Sequence, residues 1–94
     1  MMTTTVRDNA DLHRYEIIID DHVVGIADYS LQGNTIVLPH TVIDPAHRGQ
    51  GLAAQLVRGA LDDIRARGLT VDARCWYVAE FIESHAEYAD LTNR

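Results

Sequence analysis

The sequence predicts an α/β (α+β) domain, built on a mixed, mainly antiparallel sheet with elements in the order β-β-β-α-β-α. Three observations carry this. Apolar and polar residues alternate from His13 to Asp20, the two-residue period of a half-buried strand, and two further strand-like segments bounded by turn residues follow to Ile43. An apolar stripe at helical spacing follows, from Leu52 to Arg67. Two glycines, Gly49 and Gly51, stand where the first pattern gives way to the second.

Residues 1–12 are polar, threonine-rich and aperiodic, and read as a loose terminus. From His13, Tyr15, Ile17 and Ile19 fall on one side of a strand and Arg14, Glu16 and Asp20 on the other. Asp20-Asp21-His22 is a turn. Val23 to Leu31 reads as a second strand, in which Gly25 marks a bulge. Gln32-Gly33-Asn34 has hairpin-turn chemistry. Thr35 to Ile43 is a third strand. Pro39 cannot donate to a ladder, so that strand is either bulged there or unpaired on one side.

Asp44-Pro45-Ala46-His47 connects to the helix, whose inward stripe is Ala53, Leu56, Val57, Ala60, Leu61 and Ile64. Asp63 and Arg67 form an i,i+4 pair of favourable polarity, and Gly68 is a natural helix-ending residue. Leu69 to Arg74 is a short strand. Trp76 to His85 is a second helix with Val78, Phe81 and Ile82 inward. The domain is expected over 13–90, with 91–94 a tail. The first three strands, joined by tight turns, are antiparallel. The third and fourth, joined by a helix, are parallel.

Composition narrows the function. Ninety-four residues fit one domain that buries somewhat over ~60% of its unfolded surface. One cysteine, Cys75, makes no internal disulfide and no zinc site alone, which suits a reducing cytoplasm. The first residues lack the basic and apolar regions of a secretory leader, and no stretch approaches the ~20 apolar residues of a membrane span. No metal-ligand spacing links the histidines. The net charge is −6, and all eight basic residues are arginine. That balance argues against nucleic acid and is compatible with a cationic partner such as an amine.

The glycine loop points to a ligand. A strand that turns through Gly49 and Gly51 into a helix leaves backbone N–H groups converging at the positive end of the helix dipole, a site for phosphate. Three readings compete. Gly49, Gly51 and Ala54 fit a dinucleotide fingerprint, with Asp72 at the distance of a ribose ligand, but one βαβ unit and an intervening proline oppose it. No Gly-Lys-Ser/Thr follows, so a P-loop is excluded. A loop that only turns the chain is the second reading.

The third is a resemblance. Val42 to Ala53 resembles the acetyl-CoA signature of the GNAT N-acetyltransferase superfamily, Arg/Gln-x-x-Gly-x-Gly/Ala after a strand ending near a proline. Arg48, Gly51 and Ala53 match it. His40-Thr41, Cys75-x-Tyr77-Val78 and His85-Ala86-Glu87-Tyr88 further resemble a small, single-domain GNAT-like branch that lacks the early helices. Prolines frequent in that branch near Ala73, Trp76 and Ala86 are absent.

The resemblance implies a minimal acyl-CoA-binding fold and an acetyl-CoA-dependent N-acetyltransferase, with acetyl-CoA as co-substrate and no metal. The pyrophosphate would rest on the amides of Arg48, Gly49, Gln50, Gly51, Leu52 and Ala53. The pantetheine arm would follow Val42 and Ile43, where the third and fourth strands splay. The thioester would lie near His40 and Cys75. His40 is then either a base for the acceptor amine, imidazole being the side chain most often used for that role, or a strand-end residue with a structural hydrogen bond. Cys75 would take the acetyl group, protonate the leaving thiolate, or fill an apolar hole. The acceptor is an amine on a small molecule, peptide or protein. The alternative is a non-catalytic acyl-CoA-binding or regulatory module. Oligomeric state is not legible.

Overall fold

The computed structural model describes residues 3–92. Its sheet has five strands in sequential order: β1 (Thr4–Asn9), β2 (Arg14–Ile19), β3 (His22–Gln32), β4 (Thr35–Ile43) and β5 (Thr70–Ala73). Strands β1 to β4 form an antiparallel meander, and β4 pairs with β5 in parallel. Helix α1 (Leu52–Ala66) makes the crossover, α2 (Trp76–Ser84) follows β5, and a short α3 (Ala89–Thr92) ends the described chain. The mixed, mainly antiparallel sheet is the fold class the sequence predicts.

Two expectations need correction. Over its described residues the terminus is not loose: Thr4–Asn9 pairs along its length with β2, and Val6 packs against the core, while Met1 and Met2 lie outside the described residues. As an edge strand with one inward apolar residue, β1 leaves almost no alternation to detect. Its approach to α1 depends on Gly59, where an added Cβ would lie 2.7 Å from Val6 Cβ. Nor is the 91–94 segment simply a tail, because Leu91 is buried in the core. Asn93 and Arg94 lie outside the described residues.

Helix α1 buries Leu52, Leu56, Val57, Ala60, Leu61 and Ile64. The stripe therefore starts at Leu52, one residue before the expected Ala53, which faces a groove instead. Gly68, at φ 71°, ends the helix, and the Leu69 N–H donates to Ile64 C=O. Val78, Phe81 and Ile82 of α2 enter the same cluster as α1, Tyr15, Ile17, Ala27, Ile36 and Leu38. Tyr88 fastens the chain beyond α2 to α1 by donating to Asp62 at 2.6 Å. At the far end of α1, Tyr15 donates to Asp63 and Tyr29 to Asp8, each at 2.7 Å, and Arg67 bridges to Asp8 at 3.0 Å. These contacts tie β1 to the helix.

Both long helices thus pack on one face of the sheet. Cross-strand register puts Arg7, Glu16, Ile26 and Val42 in one row on the other face, and Arg14, Asp28 and His40 in the next. Glu16 is only 1% exposed there. Arg14 Nε donates to it at 2.8 Å, Arg7 Nε at 2.9 Å and Asn9 Nδ2 at 3.1 Å. Burial pushes the Glu16 carboxyl up, but these donors outweigh it and hold it below the usual range.

Both expected irregularities are present. In β3, Ile17 faces Gly25 while Ile18 faces Val23, so Val24 is the extra residue beside the glycine. In β4, Asp28 faces His40 while Ser30 faces Val37, so Leu38 and Pro39 together oppose Tyr29. Of the two options for Pro39, the strand takes the bulge.

Candidate active site

The Pro39 bulge builds the site. Strand β4 pairs with β5 only from Thr35 to Leu38. At the end of that ladder the Leu38 C=O accepts from two N–H groups, Arg74 at 3.1 Å and Cys75 at 2.9 Å. Beyond Pro39 the strands diverge, and His40 to Ile43 have β3 on one side and no strand on the other. The Asp44 N–H donates to Val24 C=O at 2.8 Å. Alternate residues of a strand bond to opposite sides, so Thr41 and Ile43 turn their N–H and C=O groups to the open side. Val42, expected to share that role, turns its own toward β3.

The open edge leads to the glycine loop. Asp44 caps the turn Pro45–His47 by accepting from the Ala46 N–H at 3.0 Å. Gly49 and Gly51 have φ of 82° and 76°, and a Cβ at either would meet nothing within 4 Å. Glycine is therefore required by backbone conformation, and the space in front of it is clear. Gly51 is the N-cap of α1, supplies no side-chain cap, and the first turn holds no acidic residue. The first backbone bond into the helix is Gln55 N–H to Gly51 C=O. The N–H groups of the preceding turn thus remain available to an anion at the positive end of a helix of 15 residues.

Edge and loop line one groove of about 480 Å³, together with Trp76 and Tyr77 at the start of α2. Of the expected cofactor residues, Val42, Ile43, Arg48, Gly49, Gly51, Leu52 and Ala53 line it, and Gln50 does not. The Leu52 side chain is buried, so that residue can offer only its backbone. Trp76 is 73% exposed and makes an apolar wall. A second cleft of about 290 Å³ shares Ala54 and Tyr77 with the groove and continues between α1 and α2, past Gln55 and Arg58. A larger cavity, about 830 Å³, runs beside β5 and shares no residue with this groove.

His40 and Cys75 are not brought into contact. Cys75 is buried where β4 and β5 part, and its Sγ lies 3.7 Å from Thr41 Oγ1, within sulfur hydrogen-bond range. Adjacent residues of a strand point to opposite faces, so His40 projects from the face without helices. There its Nε2 lies 2.5 Å from Asp28 Oδ2. Thr41 and Asp28 are the neighbours that sequence reasoning did not select. Thr41 follows from alternation once the bulge is located. Asp28 depends on the β3–β4 register. Tyr77 is half-buried, and burial pushes its hydroxyl up. His85 stacks on Phe81 with ring centroids 3.9 Å apart, while its Nδ1 bonds the Phe81 carbonyl at 2.7 Å, a structural role. Among the described residues no group of His, Cys, Asp and Glu is placed to hold a metal, and no helix is long and apolar enough to cross a membrane.

A meander, a parallel crossover and a glycine loop at a strand fork define the architecture, and comparison with known proteins gives it a family. The model of the GCN5-related N-acetyl-transferase family matches residues 14–91, and the chain belongs to that family. It is similar to Protein NATD1 of Bos taurus, 36% identical over 58 residues, 61% of this chain and 51% of that protein. Protein NATD1 of Homo sapiens is 34% identical over 58 residues, again 61% and 51%. The chain spans about half the length of these curated relatives. A GCN5-like putative N-acetyltransferase from Staphylococcus aureus superposes with a TM-score of 0.70 at 19% identity, covering 93% of this chain and 85% of that one. The ribosomal-protein-S18-alanine N-acetyltransferase from Escherichia coli superposes with a TM-score of 0.66 at 14% identity, covering 89% and 76%. These two likenesses concern the fold.

Proposed function

We propose that this protein is an acetyl-CoA-dependent N-acetyltransferase acting on an amine. The single observation that carries the reading is the continuity of the groove. It joins an uncapped helix N-terminus behind two left-handed glycines to an unpaired strand edge that ends at Thr41 and Cys75. Phosphates, pantetheine amides and thioester need those features in that order. Loop amides from Gly49 to Ala53, with Arg48 beside them, take the pyrophosphate. Thr41 and Ile43 pair with the pantetheine amides as an extra strand would.

The reacting carbonyl then lies at the fork, between the two faces of β4. His40, on the face without helices, accepts a proton from the acceptor ammonium. The freed amine attacks the thioester carbon, the C–N bond forms, the C–S bond breaks, and the second proton of the attacking nitrogen passes to the departing sulfur. On the opposite side of the fork the Cys75 thiol donates to the Thr41 hydroxyl, which in turn donates toward that sulfur. The acceptor amine belongs to a small molecule, peptide or protein that enters from the uncovered face. Family membership and the similar folds support this chemistry. A single unpaired cysteine suits a reducing cytoplasm as its setting.

The second reading, a non-catalytic acyl-CoA-binding module, is favoured by one observation: Cys75 is buried and bonded to Thr41. Two measurements separate the readings. At a hundredfold excess over Kd, acetyl-CoA adds about 2.7 kcal/mol, a melting shift of about 10 °C or more for a chain this small. Acetyl transfer to peptides with a free α-amine or a lysine is then assayed. A shift without transfer selects the binding module, and no shift with either CoA or acetyl-CoA removes both.

A further inference from the structure

We infer that Asp28 is a positioning residue that fixes the tautomer and orientation of His40 for proton transfer from the acceptor. The inference rests on the reading of His40 as the base. Asp28 and His40 are direct cross-strand partners on the face without helices. Asp28 Oδ2 lies 2.5 Å from His40 Nε2, with the carboxylate about one-third exposed and the imidazole about half. A carboxylate accepts but does not donate, so the proton of the neutral ring sits on Nε2. That leaves Nδ1 as the bare nitrogen. Asp28 thereby selects which nitrogen receives the acceptor's proton and steadies the imidazolium once formed, as a carboxylate does in other carboxylate–histidine pairs.

The carboxylate is itself placed by the sheet. Arg14 is the cross-strand partner of Asp28 on β2, and its Nε is engaged by the buried Glu16 at 2.8 Å. Arg14, Asp28 and His40 thus form a row across three strands, with the positive charge outermost from the fork. Register along the row is set by the bulge at Leu38 and Pro39, the same irregularity that opens the groove. One backbone feature therefore creates the cofactor edge and aligns the base with its partner.

The test has a readout independent of turnover. Nitrogen-15 NMR of the imidazoles, in the full chain without substrate, should find His40 as the Nε2–H tautomer. In Asp28→Ala the ring should become a mixture of tautomers, while Asp28→Asn, whose amide oxygen can still accept, should retain much of the wild-type signature. With a peptide bearing a free α-amine as acceptor, Asp28→Ala should lower kcat about tenfold or more and leave KM for acetyl-CoA unchanged. It should lower kcat no further in a His40→Ala background. An unchanged tautomer in Asp28→Ala overturns the inference, as does a further loss in the His40→Ala background. Absence of transfer by the wild-type chain overturns the transferase reading and this catalytic role with it, even where NMR finds the pair intact.

Discussion

Single residues carry much of the candidate site, and Gly51 is the sharpest case. Its φ of 76° disfavours any side chain, while a Cβ there would touch no protein atom within 4 Å. Gly51→Ala therefore costs about 1–2 kcal/mol of stability from backbone strain. Because the methyl would project into the proposed phosphate space, CoA affinity should also fall about tenfold or more. Gly33 is the control: it has φ 62°, equally open surroundings, and lies in the β3–β4 hairpin. Gly33→Ala should lose similar stability and keep its CoA affinity in a calorimetric titration. Equal affinity losses in both variants would trace the effect to general destabilisation. These glycines were legible because a strand-to-helix change needs left-handed residues. Asp28 was not, because its partner is 12 residues away and the pairing depends on which of two irregularities Pro39 imposes on the strand.

At the scale of elements, α1 and β2 were legible from their periods and β3 and β4 from the turns that bound them, and β1 was not. Strand β1 is held by what it meets: the β2 ladder, Gly59 of α1, and the Arg7–Glu16–Asn9 contacts. Glu16 joins β1 and β2 on a face that no helix covers. Its folded carboxyl titrates below the ordinary glutamate value of about 4.3, so its contribution is fully present above that value. As pH falls through the lower folded value, the contribution is lost. Glu16→Gln should destabilise the protein at pH 7 by about 1–3 kcal/mol, because two arginines lose a charged acceptor. The difference from wild type should shrink as melts are taken below about pH 4.3. A constant difference across that range would show that Glu16 acts through packing and not through its charge.

At the scale of the whole molecule, the layout is a five-stranded sheet with its helices on one side and a fork in its last strand pair. The mixed sheet was legible because tight turns force antiparallel pairing and a helical crossover forces parallel pairing. The burial of Glu16 was not, since it reads as a solvent residue until Arg7 and Arg14 fold over it. The fork also bears on kinetic order. In the proposed reaction the groove receives the acyl donor from the helix side, and His40 meets the acceptor from the other. Two mouths let both substrates be present at once, with neither obstructing the other's departure. Initial rates measured over both concentrations should then give intersecting double-reciprocal lines, the pattern of a ternary complex. Parallel lines would mean that the acetyl group rests on the protein between two half-reactions, and Cys75, at the junction of the mouths, would be its carrier.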